Sequence, residues 1–234
     1  MADNKEKFVY QCVMVCDILP YQEDNETDPK VSQPSCMINI IDRPLLHYSL
    51  ESLRVAGIEE VYVYCRYGYE IINEYIKTEW LKSDGDKIRK MKIKVYSAES
   101  LLSVGDVIRD VFSKQEVKFD FLLLYGDLLS NLPYTKFIDE HRQLRKVDKG
   151  CVMSLLLRSS SPHHRSIPNE DKSIYVINPE NNRLLLCLPG TSLYPNVKVN
   201  MVSSTVLNNK LNLRINSVTL IRFLFGCRCF HFFS

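Results

Sequence analysis

The chain has 234 residues, 45% of them hydrophobic, and a formal net charge of +2 from 30 Lys and Arg against 28 Asp and Glu. That length supplies one sizeable core with a small annex and excludes an array of several domains. The near-balance of charge, spread along the chain, excludes a sequence-wide field toward nucleic acid or an anionic membrane. The eight cysteines stand mostly alone in apolar runs without Cys-x-x-Cys spacing, the pattern of reduced thiols rather than of a disulfide framework.

The first residues, MADNKEK, are polar and contain no apolar stretch of the kind a secretory signal needs, so residues 1–8 are expected to be disordered and the protein to be cytosolic. Val9 to Cys16 (VYQCVMVC) reads as a buried strand, and DILPYQEDNETDPKVSQP after it as a long polar loop. CMINII follows as a short extended piece. In RPLLHYSLESLRVAG, Pro44 suits a first helical turn, and Gly57 stands where a C-terminal cap belongs. Leu46, Leu50 and Leu53 recur at helical spacing and predict the buried stripe of this helix.

The alternation continues with strand VYVYC, helix YEIINEYIKTEWL, turn KSDGDK, strand KIKVYS, a helix from Ser103 to about Lys114, strand FDFLLLY, helix PYTKFIDEHRQLRK and strand CVMSLLLR. Strands alternating with helices of that length predict an α/β fold, a Rossmann-like, mostly parallel sheet with helices on both faces. After Arg158 comes a polar loop, SSSPHHRSIPNEDK, and then two strand patterns around Pro-Glu-Asn-Asn that predict a small antiparallel hairpin addition. Residues 9–206 are thus expected to form one domain. The stretch 207–234 carries no clear helix or strand pattern and reads as an unassigned apolar tail, prone to self-association. Its end, LIRFLFGCRCFHFFS, is short and broken by Arg222 and Arg228, so it cannot span a bilayer.

Ligands of open α/β sheets bind beyond the carboxyl ends of the strands, which directs attention to three loops. FDFLLLYGDLLSNL delivers one carboxylate, Asp127, to that edge. Magnesium-dependent nucleotidyl transfer would need, besides carboxylates for the metal, glycine N–H groups and a Lys or Arg around the phosphates. DILPYQEDNETDPK offers no glycine and sets Asp17, Glu23, Asp24, Glu26 and Asp28 against Lys30, the wrong sign for a triphosphate. In SAESLLSVGDVIRD, Ser103 suits an N-cap and Asp106 the first turn, where its charge already satisfies the helix dipole. Asp127 is therefore read as capping its own turn toward Ser130 and Asn131. His163 and His164 lie in a Ser/Pro-rich loop without further ligands, and Cys227, Cys229 and His231 give only three ligands in a tail, so neither group reads as a metal site.

Several of these stretches together carry a resemblance. YQCVMVCD, INIIDRPLLHYSLESLRVAGIEEVYVYC, SLLSVGDVIRDV, KFDFLLLYGDLLSNL and EHRQLRKVDKGCVMSLLLRSSSP resemble, in the same order, the N-terminal nucleotidyltransferase-like domain of the epsilon subunits of translation initiation factor 2B, from about Val9 to Leu193. SVGDVIRD and LLLYGDLLSN are its most specific pieces, and RPLLHYSLE is shared with sugar-nucleotide pyrophosphorylases. In those enzymes the loop after the first strand is Gly-rich with an Arg and a later Lys-Pro. Here the corresponding stretch is acidic and ends in Gln33-Pro34, and Gly105-Asp106 stands where they have Gly-Thr.

The resemblance implies a non-catalytic scaffold domain of the guanine nucleotide exchange factor for initiation factor 2. It implies partnership with the other factor 2B subunits, gamma especially, no direct nucleic acid, no membrane and no cofactor. The family's β-helix and the helical domain that performs exchange find no counterpart among these residues, so a truncated form is expected. The alternative is an active sugar-phosphate nucleotidyltransferase, or a regulatory domain binding a nucleotide or sugar phosphate. Only on that alternative do Asp17, Gly105, Asp106 and Asp127 form a cleft, vestigial or working, that takes magnesium.

Overall fold

A computed structural model describes residues 8–16, 34–80, 91–159, 173–178, 181–188 and 214–225. The chain divides into two compact units, Met1–Ser154 with Phe223–Ser234, and Leu155–Arg222.

In the first unit, strand β1 (Gln11–Cys16) is buried at every residue. A 3-10 turn at Ser35–Met37 and a short antiparallel ribbon, β2 (Asn39–Ile40) with β3 (Arg43–Pro44), replace the extended piece expected for CMINII. Helix α1 (Leu45–Val55) begins directly after Pro44. It ends in a Schellman arrangement: Gly57 takes φ +86°, its N–H donates to the Arg54 carbonyl at 3.0 Å, and the Ile58 N–H donates to the Leu53 carbonyl at 3.0 Å. Leu46, Leu50 and Leu53 are all fully buried, as their spacing predicts.

Strand β4 (Glu60–Cys65) precedes α2 (Tyr69–Tyr75), which runs on as a π-helical turn over Ile76–Trp80. Strand β5 (Lys92–Ser97) precedes α3 (Val104–Lys114), and β6 (Phe121–Tyr125) precedes α4 (Tyr134–Val147). The order across the sheet is β5-β4-β1-β6, all parallel. Every other residue of each strand faces the same way. Cys12, Met14, Val63 and Leu122 therefore meet α1, α2 and α4 on one face. Val13, Val15, Tyr64 and Leu123 meet α3 on the other. This is the Rossmann-like parallel sheet with helices on both faces.

Strand β7 (Met153–Ser159) leads out of this unit. In the second unit, β8 (Ser173–Ile177) and β9 (Leu184–Leu188) pair antiparallel, the expected hairpin. The segment read as an unassigned tail contains a strand, β10 (Arg214–Phe225). Its beginning pairs antiparallel with β8 and its last residues, Leu224 and Phe225, with Leu122 and Phe121 of β6. RINSVTLIRFLF is rich in β-branched and aromatic residues, which favour strands, but apolar residues fall at both parities and hide the two-residue period. Among the described residues no helix is long and apolar enough to cross a membrane.

Candidate nucleotide cleft

The chain builds β1, β4 and β5 toward one side of the sheet and then places β6 on the other side of β1, so the strand order reverses between β1 and β6. At such a reversal the connections leave in opposite directions and open a crevice beyond the carboxyl ends. Those ends are Cys16 and Tyr125, the latter paired with Val15. Asp17, next after Cys16, and the acidic loop to Lys30 lie outside the described residues, as do the two histidines of the Ser/Pro-rich loop and the Cys-x-Cys-x-His group.

Asp127 sits at this crevice, in the turn that leaves β6. The Gly126 N–H extends the ladder by donating to the Val15 carbonyl at 2.9 Å, and the Leu128 N–H donates to the Tyr125 carbonyl at 3.3 Å. A Cβ at Gly126 would overlap the sulfur of Cys16, so only glycine fits. From below, Ser49 of α1 holds the turn: its hydroxyl donates to the Leu128 carbonyl at 2.8 Å and lies 3.2 Å from the Gly126 carbonyl. The Asp127 side chain is exposed, and no hydrogen bond or ion pair reaches it among the described residues. Its expected capping role is not what closes the turn. The Ser130 hydroxyl instead accepts the Leu132 N–H at 3.2 Å, and the backbone bond from Leu128 does the rest.

Gly105 and Asp106 lie at the amino end of α3, which follows β5 at the same edge. Ser103 is the N-cap, its hydroxyl accepting the Asp106 N–H at 3.2 Å, while the Asp106 carboxylate accepts the Ser103 and Leu102 N–H groups at 3.0 and 3.2 Å. This reciprocal box satisfies donors that a helix start leaves open. Asp106 also pairs with Arg109. The bond from the Ser103 side chain, opposed by partial desolvation and aided by the backbone donors and Arg109, holds its carboxyl below the usual range. Asp106 is thus committed to its own helix. Gly105 would place a Cβ in ordinary contact with the Ser103 hydroxyl, 3.5 Å away, so neither packing nor backbone angle demands glycine there.

Two further residues shape the edge and were not singled out by sequence reasoning. Gly68 takes φ +66° at the start of α2, where a Cβ would overlap the Pro34 ring, which ties the end of the acidic loop to the turn after β4. Ser49 stands within the leucine stripe of α1, and a lone hydroxyl on a buried helical face is the signal that could have marked it.

Over 176 residues the chain is 36% identical to the translation initiation factor eIF2B subunit epsilon of Schizosaccharomyces pombe, covering 74% of this chain and 25% of that protein. The chain is a relative of the eIF2B epsilon subunits. The subunit of the same name from Dictyostelium discoideum is 26% identical over 179 residues, covering 76% of this chain and again 25% of the relative. The chain therefore spans about a quarter of the length of the curated relatives it matches. Among solved structures, UDP-glucose pyrophosphorylase in complex with UDP-glucose superimposes with a TM-score of 0.60 at 12% identity, covering 96% of this chain and 78% of that one. That likeness establishes the nucleotidyltransferase-like fold. No protein-family model matches the chain.

Proposed function

We propose that this epsilon-subunit relative works in the cytosol as a scaffold domain of the guanine nucleotide exchange factor for initiation factor 2, without catalysis of its own. Its partners are then the other subunits of initiation factor 2B, gamma above all, and through them initiation factor 2. The observation that carries this reading is the similarity to the two epsilon subunits. The commitment of Asp106 to its helix cap supports it, since a carboxylate already accepting from Ser103 and Leu102 has less to offer a metal. The stretches that resemble the family belong to its N-terminal domain, and these 234 residues by themselves are expected to leave nucleotide release unchanged. The test is release of labelled GDP from initiation factor 2, with capture of the gamma subunit as a second readout. Acceleration by the chain alone, or failure to retain gamma, overturns the proposal.

A second reading is favoured by one observation: an exposed carboxylate at the strand-order reversal without a described protein partner. On this reading Asp127 holds magnesium over a nucleotide or sugar phosphate, with the bare Gly105 leaving room for the ligand. Pyrophosphate release from a nucleoside triphosphate and a sugar phosphate marks an active enzyme. Ligand-dependent stabilisation without product marks a regulatory domain.

A further inference from the structure

At the opposite, amino-terminal edge of the parallel sheet lies a cavity of about 430 Å³, built from the starts of β1 and β4, the middle of β5 and the segment leading into β6. Gln11 makes its floor. The residue is 3% exposed; its amide nitrogen donates to Glu60 at 2.8 Å and lies 3.3 Å from the Tyr62 hydroxyl and from the Glu116 carbonyl. Its amide oxygen accepts the backbone N–H groups of Lys118 and Phe119 at 3.2 and 3.4 Å. One buried amide thus fixes the loop before β6 against β4, giving the cavity walls that do not depend on a ligand to hold them.

Those walls have a graded charge. The carboxylates lie deeper: the Glu60 and Glu116 side chains are 22% and 32% exposed, against 55% for Lys94 at the mouth. Glu60 accepts from Gln11, from the Tyr62 hydroxyl at 3.0 Å and from Lys92 at 3.2 Å. Glu116 accepts from the Tyr96 hydroxyl and from Lys94 at 3.1 Å, both through the same oxygen, which leaves Oε1 without a partner among the described residues. Burial pushes both carboxyls up, but these donors outweigh it and hold both below the ordinary value, so they are charged at neutral pH. The Lys94 ammonium spends one of its three protons on Glu116, and Lys118 is exposed at the mouth. Val9 and Phe119 supply a half-buried apolar side.

Acceptors inside, ammonium groups at the rim and an apolar flank suit a small molecule that carries its cation inward and its anion outward. A phosphate would be held at the rim by the ammonium groups and repelled from the interior by the two carboxylates. A neutral sugar would leave both signs unused. We propose that this cavity binds a free apolar amino acid, its ammonium between Glu60 and Glu116, its carboxylate on Lys94 and Lys118, and its side chain against Phe119 and Val9. The volume lies in the range of small-molecule sites and holds such a ligand with some of its water.

The test uses the full chain and three probes: L-leucine, 3-methylbutylamine, which lacks its carboxylate, and 4-methylpentanoate, which lacks its amine. Calorimetric titration is expected to show saturable binding of L-leucine, with each half-molecule at least tenfold weaker. Glu116→Gln and Lys94→Met, which act on opposite ends of the ligand, should each weaken L-leucine at least tenfold. Of the two, only Glu116→Gln should leave the residual affinity for 4-methylpentanoate unchanged. No saturation by L-leucine at about 10 mM, ten times a millimolar Kd, overturns the proposal. So does equal affinity for the amine and the amino acid. Both variants break the Lys94–Glu116 ion pair, but only Glu116→Gln also touches the Tyr96 contact, so misfolding of one, read from its melting curve, leaves the other to decide.

Discussion

The sulfur of Cys16 occupies the space in which a Cβ on Gly126 would have to sit. The ends of β1 and β6 are thereby in contact at the point where the strand order reverses, and the position of Asp127 depends on it. Gly126→Ala overfills this site and should cost about 1–3 kcal/mol, the usual range for an extra carbon in a packed interior. Cys16→Ala removes the obstructing sulfur, so the double variant should recover part of the loss. Denaturant unfolding of the four proteins in the cycle measures the coupling; additive losses would show that the overlap is relieved elsewhere.

Asp106 and Asp127 are one residue type in two situations, and their variants should separate. Asp106→Asn weakens the reciprocal box and the pairing with Arg109, so its melting temperature should fall; Ser103→Ala, which removes the other half of the box, should cost about 1 kcal/mol. Asp127→Asn, at an exposed side chain, should leave the melting temperature unchanged. On the scaffold reading it also changes no measurable catalysis. Pyrophosphate release by the parent chain and none by Asp127→Asn would defeat that reading.

Much of this architecture is legible in the sequence because it rests on local chemistry. The leucine stripe of α1, its Gly57 cap, the Ser103 cap of α3 and the strand–helix alternation all follow from residues within a few positions of one another. What escaped depends on residues far apart in the chain. Gly126 is required by Cys16, and Ser49 serves carbonyls nearly 80 positions away. The turn at Asp127 looked like a side-chain cap because Asp followed by Ser and Asn often makes one, yet backbone bonds close it instead. Strand β10 escaped because a strand without a two-residue period looks like any short apolar run.

His141 of α4 is 1% exposed; its Nδ1 lies 2.7 Å from the Ser154 hydroxyl, and its Nε2 has no partner among the described residues. Burial lowers its pKa, with Asp120 pulling it up and Arg145 pushing it down. The folded state therefore favours the neutral ring. The stability this contributes is complete above the unfolded value near 6.5 and drains as pH falls below it, with a slope of at most about 1.4 kcal/mol per pH unit. His47, lowered first by burial and then by Arg43, adds to the same trend. Melting temperatures from pH 7.5 to about 5 should fall for the parent chain and fall less steeply for His141→Gln. Parallel curves would show that His141 finds a partner when protonated.

Within α1, Leu50 is fully buried against the sheet, and Leu50→Asp places an unpaired carboxylate there. Among the described residues no Lys or Arg is buried to compensate it, and an isolated charge in an apolar interior costs more than a domain's net stability can absorb. The variant should be unfolded or aggregated on purification. An unchanged melting temperature would mean that α1 can turn another face to the core.

The C-terminal strand carries the last prediction. Read from sequence alone, 207–234 is an unassigned apolar tail prone to self-association, and on that reading a chain without it would be the more soluble one. In the structure Leu224 and Phe225 pair with Leu122 and Phe121, so β6 is flanked by β1 on one side and by β10 on the other. A chain ending at Asn209 loses β10 entirely and turns β6 into an edge strand with unpaired N–H and C=O groups. Phe121 and Leu122 are fully buried, and the strand FLLLY has neither charge nor proline to discourage pairing with another molecule. Such an edge templates aggregation. The shortened chain should therefore melt at lower temperature and aggregate faster than the full one, as followed by light scattering during heating. Equal or better solubility of the shorter chain would restore the tail reading and remove β10 from the set of strands that hold the sheet together.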